Sequence, residues 1–241
     1  MEKVWKTKVT EISNNKLVTY GINQCDIIRN FTIEEMVFLL IFGKVPSEID
    51  ALMLRSTITS YCGHGITAQS SIGVRMGADC GSGYLESVCA GFLIGFGQHH
   101  LGALELAMRD IKYLSQQPDL EKSIETKLSK KERIAGFGHR YHTCDPRAET
   151  LIKLCEENNY GGVYLETVKR IEEILFAKKG IKMNIDAACS AILLHMGFPS
   201  EIAPLITVLG RAPMLAADYM ERLHEKNPPF PKLKVYDCDE E

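Results

Sequence analysis

Helix-start and helix-stop signals frame most of the apolar residues of this chain, and they constrain its fold more than any other feature. Thr32 and Glu35 form a capping box, and Phe31 and Met36 flank it as a hydrophobic staple. Apolar residues at helical spacing follow, and Gly43 ends the segment. This combination is typical of an amphipathic helix that buries one face. We therefore expect a fold built mainly from helices.

The rest of the chain follows the same pattern, except at its two ends. Residues 8–12 and 16–20 alternate in the β manner around a turn at 13–15, which predicts a small β-hairpin over residues 1–20. The proline-rich start of residues 227–241 predicts an irregular tail. The predicted fold class is thus all-α with a minor β start. Further helices are predicted over 47–60, 85–110, from 146 onward, and over 163–177, 184–197, 200–209 and 213–223.

Composition narrows the class of protein. Hydrophobic residues make up 45% of the 241 residues, which is ample for a core, so we predict a single unit over 1–241 made of two closely packed helical lobes. The net charge of −3 is too close to zero for a dedicated nucleic-acid or polybasic membrane binder. The longest uncharged apolar run, 88–97, is far shorter than the roughly 20 residues that cross a bilayer. Eight cysteines without a signal peptide then indicate reduced thiols and a cytoplasmic protein.

Two histidine segments lie at predicted helix boundaries. His64 stands between Gly63 and Gly65, where the backbone lets a ligand approach closely, although a solvent-facing histidine in a helix-ending loop would give the same sequence. His99 and His100 are adjacent, and on a helix their side chains would point about 100° apart. We therefore expect at most one of these two to face a pocket.

The segment 133–147 carries the most information. Gly136 and Gly138 make a flexible loop, His139 follows, and Arg147 lies in the first turn of the helix that begins at Pro146. A cation is unfavourable at a helix N-terminus, so an anionic ligand lying across the helix start would explain Arg147. An ion pair with a neighbouring carboxylate is the alternative explanation.

A metal site is another use to which these histidines could be put. Zinc sites on a helix need histidines at i and i+4, and His99 and His100 do not have that spacing. His139, His142 and Cys144 could mimic a ligand cluster, but the segment supplies no fourth ligand. We predict no metal site.

Two further charged residues stand in apolar surroundings. Asp186 is the only acid in a stretch that is otherwise small and apolar, so desolvation should raise its pKa and suit it to act as a general base. A helix N-cap is the alternative role. Arg211 is predicted to lie in a Gly/Pro turn between two apolar helices, where its guanidinium would face a partner or a ligand.

Together these segments resemble the citrate synthase superfamily. Gly-Phe-Gly-His at 136–139 followed by Asp-Pro-Arg at 145–147 is similar to the family signature, and Asn-Ile-Asp at 184–186 is similar to its Asn-Val-Asp segment. Residues 20–46 look like its N-terminal helical entry, and order and spacing are kept from about 18 to 222. The resemblance implies a mostly helical enzyme, at least dimeric, that makes or breaks a carbon–carbon bond between acetyl-CoA and a 2-oxo acid.

The resemblance also implies a role for each candidate residue. Asp186 would be the base that takes the acetyl methyl proton, and His100 would hydrogen-bond the thioester oxygen and stabilise the enol. His139 would polarise the ketone of oxaloacetate. The substrate carboxylates would be held by His64, Arg147 and Arg211, coenzyme A would lie along Ile134, Ala135, Gly136, Phe137 and Gly138, and Lys130, Lys131 and Arg133 would add positive charge beside that loop.

Two departures from the family pattern bear on the reaction. Full-length citrate synthases carry a long helical insertion before the segment that matches His64, whereas here one short helix joins 43–46 to that segment. This compactness resembles stand-alone citryl-CoA lyases and the citryl-CoA-cleaving module of ATP-citrate lyases. The arginine-containing tail that the synthases lend to the partner's site is not evident at 227–231, and Arg222 is a poor substitute.

The implied function is therefore a citryl-CoA lyase-like enzyme that forms acetyl-CoA and oxaloacetate from citryl-CoA. Citrate synthase activity, with citrate as the product, is the close alternative. A non-catalytic acyl-CoA-binding subunit is a lesser one, because His100, His139 and Asp186 are all present. The coenzyme A thioester would be a substrate, with no permanently bound cofactor. A homodimer or higher homo-oligomer is expected, without a nucleic-acid or membrane partner.

Overall fold

A computed structural model describes residues 6–139 and 143–225. Within them, eleven α-helices follow a small antiparallel sheet, so the prediction of a mostly helical fold with a minor β start is confirmed. The predicted tail over 227–241, and also Arg140 and His142, lie outside the described residues. None of the helices in the described part of the chain is long and apolar enough to cross a membrane.

The described residues form two compact units that divide between Thr57 and Ile58. The first unit opens with strands β1 (Thr10–Ser13), β2 (Lys16–Thr19) and β3 (Ile22–Asn23), hydrogen-bonded in that order. The first turn lies where the sequence predicts it, with Asn15 at φ 54°, a conformation that asparagine tolerates. A second turn at Gly21 adds β3, which extends the sheet beyond the predicted hairpin.

Three helices follow the sheet: α1 (Gln24–Asn30), α2 (Ile33–Phe42) and α3 (Glu48–Ser60). The predicted capping box of α2 is present, since the Thr32 amide donates to Glu35 Oε2 at 2.7 Å. Gly43 ends α2 in the left-handed conformation, as predicted. Ser47 Oγ accepts from the Asp50 amide at 3.2 Å, which confirms the predicted start of α3. Helix α1 was not predicted because seven residues are too few to show a period.

The second unit is helical and surrounds one buried helix. Its helices are α4 (Gln69–Asp79), α5 (Tyr84–Gly95), α6 (Ala103–Leu114), α7 (Leu120–Ser129), α8 (Pro146–Glu157), α9 (Gly162–Lys179), α10 (Ile185–Met196) and α11 (Ala203–His224). Helix α10 packs against α6, α8 and α9, and every residue from 187 to 194 is buried. A helix that is apolar on all sides is expected at the centre of a core. Helices α4, α5 and α11 pack on one another.

The predicted helix over 85–110 is wrong. The chain leaves α5 at Gly95, makes tight turns in which the Leu101 amide donates to the Gly95 carbonyl, and enters α6 at Ala103. Gly95, Gly97 and Gly102 disfavour a continuous helix here because glycine loses more backbone entropy than other residues. The resulting loop carries His100, one of the predicted site residues.

The predicted pair of helices over 200–209 and 213–223 is also wrong. A short 3-10 turn (Ser200–Ile202) leads into α11, which runs through Pro213 without interruption. Arg211 therefore lies within a helix and not in a turn. An internal proline costs about 3 kcal/mol in an isolated helix. Burial of the apolar side chains of Leu215 and Tyr219 favours the continuous helix in the fold.

Candidate active site

One cavity of about 1240 Å³ lies in the second unit. The residues to which the sequence analysis gave a catalytic, carboxylate-binding or coenzyme A-binding role all contribute to its wall: His64, His100, His139, Arg147, Asp186, Arg211 and the loop 134–138. These residues come from six separate parts of the chain. The structure therefore brings the predicted set together, while the role of each residue stays a prediction.

Asp186 is placed by the start of α10. The N-cap of this helix is Asn184, whose Oδ1 accepts from the Asp186 amide at 2.9 Å, so Asp186 lies in the first turn and is not the cap. The Asn184 side chain also donates to the Gly138 carbonyl at 2.7 Å. Burial raises the pKa of Asp186 to about 6, against the Tyr61 hydrogen bond and the positive charge of Arg147, which lower it. The carboxyl group is thus a stronger base than an exposed aspartate.

Tyr61 is a site residue to which the sequence analysis gave no role. Its hydroxyl donates to Asp186 Oδ1 at 2.7 Å, and its side chain is buried. A contact between residues 125 positions apart leaves no periodic signal in the sequence. The one available hint is the position of Tyr61 at the end of α3, three residues before His64.

Three histidines face one another across the cavity. The His64 ring stacks on that of His100 with a centroid distance of 5.8 Å, and it meets His139 edge-on at 6.3 Å. His100 Nε2 is hydrogen-bonded to Ser70 Oγ at 2.9 Å. This bond helps to fix the orientation of the ring.

His64 is uncharged at neutral pH. Burial, together with the positive charges of Arg211 and Arg147, lowers the pKa of His64 to about 4. A neutral imidazole can donate one hydrogen bond but supplies no positive charge. The positive charge of the cavity wall around His64 therefore comes from the arginines.

Arg147 combines the two explanations that the sequence left open. It forms an ion pair with the buried Asp145, donating from Nε and Nη2 to its two carboxylate oxygens at 3.0 and 2.8 Å. Burial alone would raise the pKa of Asp145, but the hydrogen bonds from Arg147 and from the Ile185 amide lower it below its usual value. The neighbouring carboxylate thus holds the guanidinium, and the guanidinium also lines the cavity.

Arg211 is 2% exposed, and within residues 6–139 and 143–225 its Nε and Nη1 have no hydrogen-bond partner. Burial and the nearby charge of Arg147 lower the pKa of Arg211. Gly210 permits this placement, because a Cβ there would lie 2.3 Å from the Ile58 carbonyl oxygen. Buried polar atoms without partners are rare, and in the described residues the carboxylate oxygens of Asp218, whose charge acts on Arg211, form another such pair.

The loop 134–138 is tied to the segment before α10. Phe137 and Met183 form an antiparallel bridge, and the Gly138 and Asn184 amides donate to the Lys182 and Gly136 carbonyls at 2.8 and 2.9 Å. Gly136 has a φ of +89°, and a Cβ there would lie 2.9 Å from the Ala187 amide nitrogen. Only glycine allows this close approach to α10.

Of the other cations that the sequence analysis selected, only some line the cavity. Arg133 lines the cavity, whereas Lys130 and Lys131 are not among its lining residues. Arg109 and Lys179, which the sequence analysis did not select, line it as well. No group of three or more His, Cys, Asp or Glu side chains in the described ranges is placed to hold a metal ion.

Comparison with known families agrees with this geometry. The family model for the C-terminal domain of citrate synthase matches residues 48–230. This chain belongs to the citrate synthase family. A citrate synthase of Mycolicibacterium smegmatis is 28% identical over 185 residues, which cover 75% of this chain and 49% of that protein. The chain thus spans about half the length of this relative.

Solved structures of the family share the fold. A citryl-CoA lyase from Hydrogenobacter thermophilus superimposes with a TM-score of 0.87 at 30% identity, over 96% of this chain and 92% of that one. An ATP citrate lyase from Methanothrix soehngenii, solved with citrate and coenzyme A, gives a TM-score of 0.83 at 20% identity, over 98% of this chain and 43% of that one. At the lower identity the likeness concerns the fold alone.

Proposed function

We propose that the chain is a citryl-CoA lyase-like enzyme that cleaves citryl-CoA to acetyl-CoA and oxaloacetate. The observation that carries this proposal is the meeting of Asp186, whose pKa is raised, with His64, His100, His139, Arg147 and Arg211 in a single cavity. The enolate of a thioester is too unstable to form in water near neutral pH. Its formation needs an acid–base group and a stabilised oxyanion together, and this cavity offers both.

The arginines suit the carboxylates of a citryl group. Arg211 has unpartnered donors, Arg147 is held rigidly by Asp145, and His64 adds a neutral hydrogen bond. A guanidinium fixed by a carboxylate loses little side-chain entropy when it binds an anion. These three residues would therefore hold the oxo-acid half of the substrate. The loop 134–138 would hold the coenzyme A half, beside Asp186.

The cleavage follows from these positions. His139 takes the proton of the citryl hydroxyl, the carbon–carbon bond breaks, and its electron pair passes to the acetyl carbon as the enolate of acetyl-CoA. His100 donates a hydrogen bond to the thioester oxygen while the charge develops. Protonated Asp186 then delivers its proton to the acetyl carbon, which completes the methyl group. The oxo-acid half leaves as oxaloacetate.

The alternative function is citrate synthase, which uses the same groups in the opposite direction and then hydrolyses the thioester. The compact chain and the near full-length likeness to a citryl-CoA lyase favour the lyase. The pKa of Asp186 is compatible with both directions, because at about 6 it leaves both protonation states populated near neutral pH.

The deciding experiment offers the purified protein citryl-CoA in one assay and acetyl-CoA plus oxaloacetate in another. Free thiol and oxaloacetate are followed in both. Rapid formation of oxaloacetate from citryl-CoA without thiol release supports the lyase. Stoichiometric thiol release with citrate formation contradicts it and supports the synthase. Absence of both reactions favours a non-catalytic acyl-CoA-binding subunit.

We also propose that the protein acts as a homodimer. The contacting pair α4 and α5 displays large apolar side chains to solvent: Met76 at 58% exposure, Leu85 at 65%, Leu93 at 81% and Ile94 at 57%. Isolated exposed apolar residues are normal, but several on two adjoining helices are typical of an interface. A second copy of the chain is the partner that the expected oligomeric state implies.

A further inference from the structure

The hydroxyl group of Tyr61 has one strong partner in the structure, and it is the proposed acid–base group. It donates to Asp186 Oδ1 at 2.7 Å, and the Tyr61 side chain is 4% exposed. A phenol has a single proton to donate. The bond therefore occupies one of the two carboxylate oxygens of Asp186 and leaves the other, Oδ2, to exchange a proton with a substrate.

The ring of Tyr61 is held in place by the backbone of α11. A Cβ at Gly210 would lie 2.6 Å from the Tyr61 Cβ, so only glycine lets the helix approach this closely. The Cys189 thiol, which lies 3.5 Å from Ser60 Oγ, is close enough to Tyr61 to act on its pKa. A side chain held this closely by the backbone can determine the orientation of the group to which it bonds.

The hydroxyl group also stays protonated. Burial and the neighbouring Asp186 charge raise the pKa of Tyr61 well above its usual value. It thus acts as a permanent donor over any pH at which the protein would function. It does not compete with Asp186 for the transferred proton.

We infer that Tyr61 is a positioning residue that locks Asp186 Oδ1 and so directs Oδ2 toward the acetyl carbon of the substrate. This inference rests on the proposed function, because it takes Asp186 to be the acid–base group. Beyond that function, it names the group that orients the carboxylate and chooses which oxygen reacts.

The groups around Asp186 determine the direction in which its pKa should change when the Tyr61 hydroxyl is removed. Tyr61 faces it from the end of α3, Arg147 from α8, Arg211 from α11, and Asp145 from the N-cap of α8. Tyr61 and the two arginines favour the ionised carboxylate, whereas Asp145 opposes it. Loss of the Tyr61 hydroxyl therefore moves the pKa of Asp186 upward.

The test compares Tyr61→Phe with the wild-type protein in the exchange of the acetyl-CoA methyl protons with solvent deuterium. We expect a rate at pH 7 that is about tenfold lower, and an acidic limb of the pH profile that lies about one pH unit higher. Tyr219→Phe is the matched control, because its buried hydroxyl bonds the Ser82 carbonyl at 3.1 Å and lies outside the cavity lining. The control variant should keep the wild-type profile.

An acidic limb that is unchanged in Tyr61→Phe, with exchange measurable in both proteins, overturns the role of Tyr61 and leaves the proposed function intact. Absence of exchange in the wild-type protein refutes the proposed function instead. In that case, the carboxyl ¹³C titration of Asp186, assigned with Asp186→Asn, decides whether Tyr61→Phe raises its pKa. If Tyr61→Phe does not fold, 3-fluorotyrosine at position 61 replaces it. Its more acidic hydroxyl should lower the Asp186 pKa, and an unchanged value overturns the inference.

Discussion

Asp186 keeps its proton to a higher pH than His64 does, which reverses the usual order of an aspartate and a histidine. The pKa of Asp186 is about 6 and that of His64 about 4, so between these values the folded site keeps its proton on the carboxyl group. An acid whose pKa is raised on folding makes the folded state less stable as the pH rises through this window. A histidine whose pKa is lowered on folding makes the folded state more stable as the pH rises. The two slopes oppose each other. These two groups therefore leave the free energy of unfolding nearly flat between about pH 4 and 6.

Asp186→Asn should abolish proton exchange at the acetyl-CoA methyl group, because an amide cannot take the proton. The same change should raise the free energy of unfolding at pH 7 by on the order of 1 to 3 kcal/mol, since the buried carboxylate is ionised there at a cost to folding. Below pH 4 the carboxyl group is protonated in the folded and unfolded states, and the gain should disappear.

Denaturant unfolding at pH 7 and pH 3.5 measures this difference. Glu11→Gln is the control, because Glu11 is an exposed carboxylate on β1 and its loss should leave stability and exchange unchanged. A variant at position 186 that is less stable than the wild-type protein at pH 7 would contradict the raised pKa. Retained exchange would contradict the assignment of Asp186 as the base.

Binding of an oxo acid should make His64 take up a proton at moderately acidic pH. The positive charges of Arg211 and Arg147 help to lower the pKa of His64, and a bound dianion would neutralise them. We expect proton uptake when oxaloacetate binds at pH 5.5 without coenzyme A. Calorimetry in two buffers of different ionisation enthalpy measures it. His64→Gln should remove most of the uptake, and equal uptake in the two proteins would refute the effect.

At the scale of elements, α4 and α5 meet through glycine. A Cβ at Gly91 would lie 2.5 Å from Val74 Cγ2 and 2.7 Å from the Ser70 carbonyl oxygen. Since backbone cannot yield as a flexible side chain can, the two helices would have to separate. Ser70 also holds His100, so this contact connects helix packing to the cavity wall.

Gly91→Ala should therefore reduce both stability and activity. We expect a loss of about 1 to 3 kcal/mol in the free energy of unfolding, together with a lower kcat because Ser70 moves away from His100. Thermal melts and the citryl-CoA assay measure the two effects. Gly97→Ala is the matched control, since a Cβ there would meet nothing within 4 Å. Equal behaviour of the two variants would show that the close approach is unimportant.

The elements differ in how well the sequence predicts them, for physical reasons. Helices α2, α3, α8, α9 and α10 carry local caps and were placed within a few residues. Helix α11 was divided because the local penalty of Pro213 predicts a break that tertiary packing overrides. For the segment 85–110 the error is the opposite one, because one helix is predicted where the structure has two. The apolar pattern outweighs the glycines at the end of α5 in that prediction. Helix α4 has no side-chain cap, so its start leaves little local signal. Helix α7 begins after the N-cap Asp119, a signal that the sequence analysis does not use.

The candidate site shows the same division between local and distant information. Asp186, His139 and Arg147 stand beside caps and glycine loops that mark them in the sequence. Tyr61 and Ser70 act through contacts with residues far along the chain, so no local pattern reveals them. The sequence does not decide whether Arg147 forms an ion pair with Asp145, because a cation two residues after an acid need not fold back onto it.

For the whole molecule, the dimer proposal predicts the mass in solution. Light scattering after size exclusion should give twice the 27.0 kDa of one chain. Leu93→Glu places a charge on the most exposed apolar residue of α5 and should give a monomer. Ile12→Glu is the control, because Ile12 is 80% exposed on β1 and belongs to neither α4 nor α5. A monomeric wild-type protein, or a dimer that survives Leu93→Glu, would contradict the proposed interface.

The bridge between Phe137 and Met183 has a consequence for how such a molecule can change. Main-chain hydrogen bonds, together with the Asn184 side chain, set the spacing between the loop 134–138 and Asp186. Substitutions at Ile134, Ala135 or Phe137 can therefore alter the shape offered to an acyl chain without moving the acid–base group. Under the proposed function, such substitutions would change which acyl-CoA the cavity accepts while Asp186 keeps its position.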